Sequence, residues 1–342
     1  MRKLLGLLPL VLASVLGAAP PKVSICVPVY NVESYLAAAL DSALNQTLED
    51  IEVVCVDDGS TDGSLAILKK YAAKDQRIRI LENGKNRGTL YARVRAVLAT
   101  EGDYVLWLDA DDELLPDIAR LAYGRAEETG VDIVCFFSEV LRGDKVLFCS
   151  QLREEFPGRR PGSELLDRLT GQQIIWNLWS NLWGGNLIRS TCRQLLPLAE
   201  SRRIITAEDL LIFWQTVRSA EGYAILPAVG YRYRLGRGLA ARSTSDMNFR
   251  REYLADISAV IGEIFAGEST AAGCRRAERI LRAGESNVFR HVAVLPEQEG
   301  RRAFRDYLAA FPPQMAQDVE RAMEHYDPRW YGSWRATKIL EE

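Results

Sequence analysis

Three carboxylates stand within four residues at positions 109–112, in the order Asp109, Ala110, Asp111 and Asp112. Carboxylates this close repel one another unless a cation lies among them, and no histidine is near them in the sequence. Oxygen ligands alone favour a hard divalent ion such as Mg²⁺ or Mn²⁺, held by one or two carboxylates together with substrate phosphates. The alternative is an ordinary solvated turn, because aspartate favours turns and helix starts. The D-x-D pattern by itself does not decide between the two.

A second acidic turn occupies residues 57–62 and has the sequence Asp-Asp-Gly-Ser-Thr-Asp. Asp57 could accept hydrogen bonds from a nucleotide base or from a ribose hydroxyl. The same residue types are also good turn and helix-cap chemistry, so a structural role stays open. A third acidic pair, Glu208 and Asp209, precedes an apolar segment. It opens a predicted helix, and carboxylates there are favoured by the helix dipole, so it could simply cap that helix.

The segments that precede the first two turns have the composition of buried strands. Short runs rich in β-branched or apolar residues occur at 23–29, 51–56, 77–81, 104–108 and 132–137. Helical patterns separate them, and this alternation indicates an α/β protein with a doubly wound, mainly parallel sheet. Ligands bind such a sheet beyond the carboxyl ends of its strands, and both acidic turns follow a strand directly. The fold class therefore predicts where the site lies.

Helices with an apolar face are predicted over residues 33–45, 89–100 and 116–129, with Asn31 as the N-cap of the first. The alternation weakens after residue 148, and amphipathic helices are expected from about residue 246. We therefore divide the chain into a signal-like or anchor segment 1–21, a domain 22–245 with halves 22–137 and 138–245, and a helical C-terminal region 246–342.

The composition is that of a globular protein of about two domains. Of 342 residues, 48% are hydrophobic and 26% are charged, and the net charge is −3. This charge gives no global basic field, so a nucleic acid is not an expected partner. The six cysteines form no C-x-x-C pair and there are only 2 histidines, which argues against a zinc site. Cys26, Cys55 and Cys135 lie in strand-like runs and are expected to be buried, reduced thiols.

Reduced cysteines are typical of an intracellular protein, but the N-terminal segment indicates the opposite. Arg2 and Lys3 precede an uncharged apolar run over residues 4–19 that ends in small residues, as in a secretory signal peptide. Pro9 and the short length disfavour a stable membrane-spanning helix. A cleaved signal, an uncleaved anchor and a wrongly assigned start codon all remain open, and residues 1–21 are left out of the predicted fold.

Five motifs occur in a fixed order along the chain. They are Pro28-Val29-Tyr30-Asn31, the acidic turn at 57–60, Asn86-Arg87-Gly88, the acidic turn at 109–112, and the Glu208-Asp209 pair. In their order and spacing, residues 23–245 resemble the family 2 glycosyltransferases, which are inverting enzymes with the glycosyltransferase A fold. The resemblance implies transfer of a sugar from a nucleotide-diphosphate donor to a hydroxyl acceptor, with Mg²⁺ or Mn²⁺, in polysaccharide or surface-glycan synthesis.

The resemblance also implies roles for individual residues. Those implied to bind the nucleotide sugar are Pro28, Tyr30, Asn31, Asp57, Asp58, Asn86, Gly88, Arg93 and Asp109. The implied metal ligands are Asp111 and Asp109. Asp209 is implied as the base that deprotonates the acceptor hydroxyl, and Glu208 beside it is the second catalytic candidate.

Aromatic and basic residues of the second half are candidates for the acceptor side. Trp176, Trp179 and Trp183 could stack on sugar rings, but tryptophans at such a spacing are more often core. We expect core positions for this set, with Trp183 as the exception that contacts the sugar. Arg237 and Arg242 lie in a Gly-rich stretch and could close over a diphosphate, or they could simply be solvated.

Two other functions are alternatives to sugar transfer. A sugar nucleotidyltransferase would need a Gly-rich phosphate loop with Lys or Arg after the first strand, where Pro28-Val29-Tyr30-Asn31 stands instead. A non-catalytic module that binds a sugar nucleotide or a glycan is the other class, and the intact Asp109, Asp111 and Asp209 argue against it.

The expected partners are a nucleotide-diphosphate sugar, with a UDP-sugar favoured, and a glycan or lipid-linked acceptor. The expected location is the cytoplasm, where activated donors occur, with association at the inner face of the membrane left open by the N-terminal segment.

Overall fold

The computed structural model describes residues 20–143, 145–150, 158–170, 177–236, 246–268, 295–313 and 316–317. The signal-like run over residues 4–19, Trp176, Arg237 and Arg242 lie outside these described residues. Within the described ranges, no helix is both long enough and apolar enough to cross a lipid bilayer.

Alternating strands and helices make up the first part of the chain, as predicted. The strands are β1 Val23–Val29, β2 Ile51–Asp57, β3 Ile78–Glu82, β4 Tyr104–Trp107, β5 Glu113–Leu114, β6 Ile133–Arg142, β7 Lys145–Ser150, β8 Arg160–Pro161, β9 Asn181–Gly184 and β10 Gly222–Arg234. The helices are α1 Leu36–Leu44, α2 Ser64–Ala72, α3 Thr89–Leu98, α4 Ile118–Thr129, α5 Gly162–Thr170, α6 Gly185–Ser201, α7 Glu208–Arg218, α8 Met247–Ala266 and α9 Glu297–Ala309.

The described strands form one sheet in the order β3-β2-β1-β4-β9-β6-β10-β5, with β7 paired to β6 and β8 paired to β10. Strands β1 to β4 are parallel, and so are β6 and β10. Between these parallel groups, β9 pairs antiparallel with both β4 and β6. The α/β sheet is therefore confirmed. Strand β9 was not predicted because its four residues, in a Trp-rich segment, show neither alternation nor a β-branched run.

Hydrophobic residues pack on both faces of the sheet, which explains why β1, β2 and β4 are largely apolar. Along β2, Val54 and Val56 join one core cluster while Val53 and Cys55 join the other. Helices α1, α2 and α4 contribute to the second cluster, whereas α3, α6, α7 and α8 contribute to the first. Burial raises the pKa of the Cys55 thiol to about 12, so this cysteine is held as a neutral, buried thiol.

The predicted N-cap of the first helix is wrong. Helix α1 begins at Leu36, and Tyr35 occupies the N-cap position. Asn31 has a φ of +52°, a left-handed conformation that asparagine tolerates better than most residues. Its Oδ1 accepts the backbone N–H of Thr61 at 2.8 Å, so Asn31 joins the loop after β1 to the loop after β2.

Candidate active site

A cavity of about 410 Å³ opens at the carboxyl ends of the parallel strands. Its volume lies in the range of small-molecule binding sites. Ten of the predicted residues line it: Pro28, Tyr30, Asn31, Asp58, Asn86, Gly88, Arg93, Asp109, Asp111 and Glu208. Parallel pairing brings them together, because the loops after β1, β2 and β4 leave the same edge of the sheet.

The turn after β2 and the segment after β3 form one structural unit, with Asp58 at its centre. The Asp58 Oδ1 accepts the Asn83 side-chain N–H at 2.7 Å and the Arg87 backbone N–H at 2.9 Å, and Oδ2 accepts the Gly88 N–H at 2.9 Å. Burial raises the pKa of Asp58, and these hydrogen bonds oppose the rise. Next to it, a Cβ on Gly59 would lie 2.5 Å from the Lys85 Cα. The two sequence motifs are therefore held in contact.

Three predicted residues, Asp57, Trp183 and Asp209, are not among those that line the cavity. Asp57 is 2% exposed, and its carboxylate accepts the N–H groups of Gly59 and Ser60 in its own turn. Trp183, expected to contact a sugar, is fully buried, donates its Nε1–H to the Leu178 carbonyl at 2.9 Å and packs edge-on against Phe213. The expected role of Trp183 is therefore wrong: it lies on β9 in the centre of the sheet, where its ring belongs to the core.

Arg93 on α3 joins the acidic turn after β4 to the start of α7. Its Nη2 donates to Asp109 Oδ1 at 2.7 Å and its Nε donates to Glu208 Oε1 at 3.0 Å. The Arg93 side chain is 7% exposed, and its guanidinium lies 5.2 Å from the centre of the Trp107 ring. The surrounding carboxylates raise the pKa of Arg93 against the opposing effect of burial, so it stays charged. Arg93 therefore lines the cavity, as predicted, and its hydrogen-bond acceptors are the carboxylates of Asp109 and Glu208.

The acidic pair at the start of α7 occupies an unusual backbone position. Ala207, the N-cap residue, has a φ of +60°, which costs energy for a residue with a Cβ. Glu208 lines the cavity and is buried. Asp209 is half-buried, is not among the lining residues, and accepts the Leu210 N–H at 2.8 Å. Burial raises the pKa of both carboxyls, to about 6 for Asp209, although Arg93 opposes the rise.

The acidic turn after β4 is closed by its own backbone and anchored to β10. The Asp112 N–H donates to the Asp109 carbonyl at 3.0 Å. The Asp112 side chain is 2% exposed and accepts the Tyr231 hydroxyl at 3.0 Å and the Arg234 N–H at 2.8 Å. Burial, together with Asp111 and Asp109, raises the pKa of Asp112. Asp109 and Asp111 are half-buried in the cavity wall and are the pair that could hold a cation.

No preformed cage supplements this pair: among the residues described here, no three or more His, Cys, Asp or Glu side chains are arranged to hold a metal ion.

Part of the cavity wall comes from residues that sequence reasoning missed. They are Arg203, Tyr233, and four residues at the start of α8: Asp246, Asn248, Phe249 and Glu252. Arg203 Nε donates to Asn86 Oδ1 at 2.8 Å, and its Nη1 pairs with Glu252 at 2.9 Å. The sequence offered one signal for this wall, because aspartate at position 246 favours a helix N-cap. In the structure, the Asp246 carboxylate does accept the N–H groups of Asn248 and Phe249. Nothing in the pattern indicated that this helix borders the site.

Comparison with known proteins identifies the class. The pattern described as "Glycosyl transferase family 2" matches residues 24–180. The uncharacterized glycosyltransferase EpsJ of Bacillus subtilis is 31% identical over 244 residues, which are 70% of this chain and 69% of EpsJ. Chondroitin synthase of Escherichia coli is 45% identical over 101 residues, 30% of this chain and 15% of that enzyme. Crystalline Staphylococcus aureus TarS 1–349 with UDP-GlcNAc has a TM-score of 0.66 at 21% identity, covering 86% of this chain and 82% of TarS.

The fold and the sequence matches define a glycosyltransferase. The chain belongs to glycosyltransferase family 2, since it covers more than two thirds of EpsJ at 31% identity. The resemblance inferred from the five motifs is thereby confirmed, as are the enzyme class and the fold. The assignment of roles to single residues stays a prediction.

Proposed function

We propose that the protein transfers a sugar, with inversion, from a UDP-sugar to a hydroxyl of a glycan or lipid-linked acceptor, with a divalent cation at Asp109 and Asp111. The observation that carries the proposal is that ten of the residues implied by the family resemblance line one cavity of about 410 Å³. A uridine donor is favoured because TarS, which shares the fold, has been crystallised with UDP and with UDP-GlcNAc.

The donor set of the cavity wall fits a hard cation. Asp109 and Asp111 offer carboxylate oxygens only, and Mg²⁺ or Mn²⁺ is commonly bound by one or two carboxylates with water and substrate phosphates as the other ligands. When bound, such a cation would offset the negative charge that develops on a diphosphate leaving group.

The acceptor hydroxyl needs a carboxylate that is basic near neutral pH, and Asp209 fits this role better than Glu208. Glu208 is engaged by the Arg93 guanidinium at 3.0 Å, which occupies one of its oxygens. Asp209 is half-buried, and burial raises its pKa above the usual aspartate range, toward the neutral pH at which a general base is most effective. Asp209 would remove the hydroxyl proton as the oxygen attacks the sugar, while the nucleotide diphosphate leaves from the opposite face.

The experiment is a screen of UDP- and GDP-sugars for slow hydrolysis with Mg²⁺, Mn²⁺ or EDTA, followed by calorimetry with the donor that turns over. Asp111→Ala is expected to abolish metal-stimulated turnover and donor binding. Asp209→Asn is expected to bind the donor as the wild type does and to lose about 10²–10⁴-fold in transfer. Asp103→Ala, an exposed aspartate near the amino end of β4, is the matched control and should retain both.

Each assignment has its own contradicting result. Equal loss of donor binding in Asp111→Ala and Asp209→Asn would refute the separate roles. A Glu208→Gln variant that binds donor but does not transfer, alongside an active Asp209→Asn, would move the base to Glu208. Full activity in EDTA would refute the cation.

We also propose that the enzyme works on the cytoplasmic side of the membrane, where activated donors are available. Fractionation followed by mass spectrometry of the mature N-terminus tests this. A periplasmic species that begins near Pro20 would overturn the placement.

A further inference from the structure

The hydroxyl of Tyr231 lies directly beneath the acidic turn. Tyr231 is a fully buried residue of β10. Its hydroxyl oxygen accepts the backbone N–H of Asp109 at 3.1 Å, and its O–H donates to the Asp112 carboxylate at 3.0 Å. Three residues farther along β10, the backbone N–H of Arg234 donates to the other oxygen of Asp112 at 2.8 Å. One strand therefore holds the turn through its first residue and its last.

The ring of Tyr231 is fixed from several sides. It stacks on Trp179 with ring centres 4.4 Å apart and planes inclined by 20°. The backbone of Tyr231 pairs with Leu114 of β5 on one side and with Ser138 of β6 on the other. Since a side chain held by stacking and by two neighbouring strands has little freedom, the hydroxyl is presented at a fixed point.

This arrangement bears on where the carboxylates of the turn point. Three negative side chains in four residues repel one another, so the backbone of the turn must be held against that repulsion. Tyr231 and Arg234 direct the Asp112 carboxylate toward β10, and the bond to the Asp109 N–H sets the residue at which the turn begins. Asp109 and Asp111 are the two carboxylates that remain half-buried in the cavity wall.

We propose that Tyr231 is a positioning residue whose hydroxyl holds the 109–112 turn in the geometry that binds the cation and the diphosphate. The inference rests on the proposed function, because it concerns the same two carboxylates. It assigns to a residue outside the family motifs a role that acts through Asp109 and Asp112, with no contact to the reacting atoms required. The competing role for Tyr231 is packing alone, which needs the ring and not the hydroxyl.

Tyr231→Phe separates these roles, because phenylalanine keeps the ring and removes only the oxygen. The matched control is Tyr223→Phe, since Tyr223 is also fully buried on β10 and donates its hydroxyl to Glu164 at 3.4 Å. Isothermal calorimetry with Mn²⁺ and UDP as the probes measures the affinity of the site, thermal unfolding measures stability, and donor hydrolysis gives KM and kcat.

For Tyr231→Phe we expect the Kd of Mn²⁺ with UDP, and the donor KM, to rise about tenfold, which corresponds to about 1.4 kcal/mol, while kcat changes less than threefold. For Tyr223→Phe we expect the Kd and the KM to stay within twofold of the wild type, even if its unfolding temperature falls as far as that of Tyr231→Phe. Unchanged affinity in a folded Tyr231→Phe would overturn the inference alone. No binding by the wild type would overturn the proposed function together with it.

Should Tyr231→Phe fail to fold, Trp179→Phe takes its place, because it keeps the hydroxyl and loosens the stack that fixes it. A three- to fivefold rise in the Kd of Mn²⁺ with UDP would support the inference, and an unchanged Kd would overturn it.

Discussion

Removing the positive charge of Arg93 is expected to destabilise the folded protein by an amount that depends strongly on pH. Arg93 is paired with Asp109 at 2.7 Å and with Glu208 at 3.0 Å, and its side chain is 7% exposed. In Arg93→Met the Glu208 carboxylate, also 7% exposed, is left in the protein interior without this cation. Asp109 is 23% exposed and can recover part of its hydration, so most of the cost falls on Glu208.

The size of the loss is limited by protonation. An unpaired buried carboxylate takes up a proton when that costs less than staying charged, and each pKa unit corresponds to about 1.4 kcal/mol. Protonating an ordinary glutamate costs about 3.5 kcal/mol at pH 7 and about 1 kcal/mol at pH 5. We therefore expect Arg93→Met to lower the free energy of unfolding by about 3 kcal/mol at pH 7 and by about 1 kcal/mol at pH 5.

A double-mutant cycle with Glu208→Gln, measured by urea unfolding with tryptophan fluorescence, tests the pairing. In the Glu208→Gln background, Arg93→Met should cost only about 1 kcal/mol at pH 7, which gives a coupling energy near 2 kcal/mol. Lys69→Met is the control, because Lys69 and Glu82 form an exposed pair worth less than about 1 kcal/mol at either pH. Additivity within about 0.5 kcal/mol, or equal losses at both pH values, would refute the reasoning.

Three further predictions concern stability and are read from urea midpoints. Gly88→Ala should lower the free energy of unfolding by more than about 2 kcal/mol, because Gly88 has a φ of +95° and an added Cβ would lie 2.5 Å from the Ile204 carbonyl oxygen. A urea midpoint like that of the wild type would contradict this prediction. Ala207→Gly should raise the free energy of unfolding by about 0.5 kcal/mol. Relief of the left-handed backbone gains about 1–2 kcal/mol, and the added freedom of the unfolded chain removes about 0.4–1 kcal/mol. A clear loss of stability would count against strain at Ala207. Burial raises the pKa of Asp209 to about 6, so between about pH 4 and pH 6 this carboxyl binds more protons in the folded state than in the unfolded chain. The wild type should therefore lose stability relative to Asp209→Asn as pH rises through this window, and a difference in midpoint that does not change with pH would show that Asp209 is not perturbed as described.

The donor side of the site was predictable because its residues are local to strand ends. Asp58, Gly88 and Asp109 each follow a strand or open a helix that hydrophobic patterning reveals, and parallel strands bring such positions to one edge. The individual contacts were not predictable. Arg93 was expected to face a nucleotide, and the pattern gave no sign that it pairs with Glu208, which is 115 residues distant in the chain.

The errors share a physical origin in long-range packing. Trp183 was expected at the acceptor because a tryptophan suits a sugar ring, but β9 inserts between β4 and β6 and places it in the core. Asn31 has the residue type of a helix cap, and its contact with Thr61 across two loops sets its conformation instead. The pairing of β10 with β6 shifts its register twice before Tyr231, so the place of Tyr231 beneath Asp109 depends on pairing that no local signal encodes.

Helix α8 fixes the segment that leads into the acidic pair at the start of α7, and it also contributes to the cavity wall. The Asp256 carboxylate of α8 accepts the N–H of Ile205 at 2.8 Å and that of Thr206 at 3.2 Å, just before α7 begins with Glu208. Because two backbone N–H groups of this segment donate to one buried carboxylate, the position of the proposed base depends on α8. The family pattern ends at residue 180, so the wall that α8 completes is built by a part of the chain beyond that pattern.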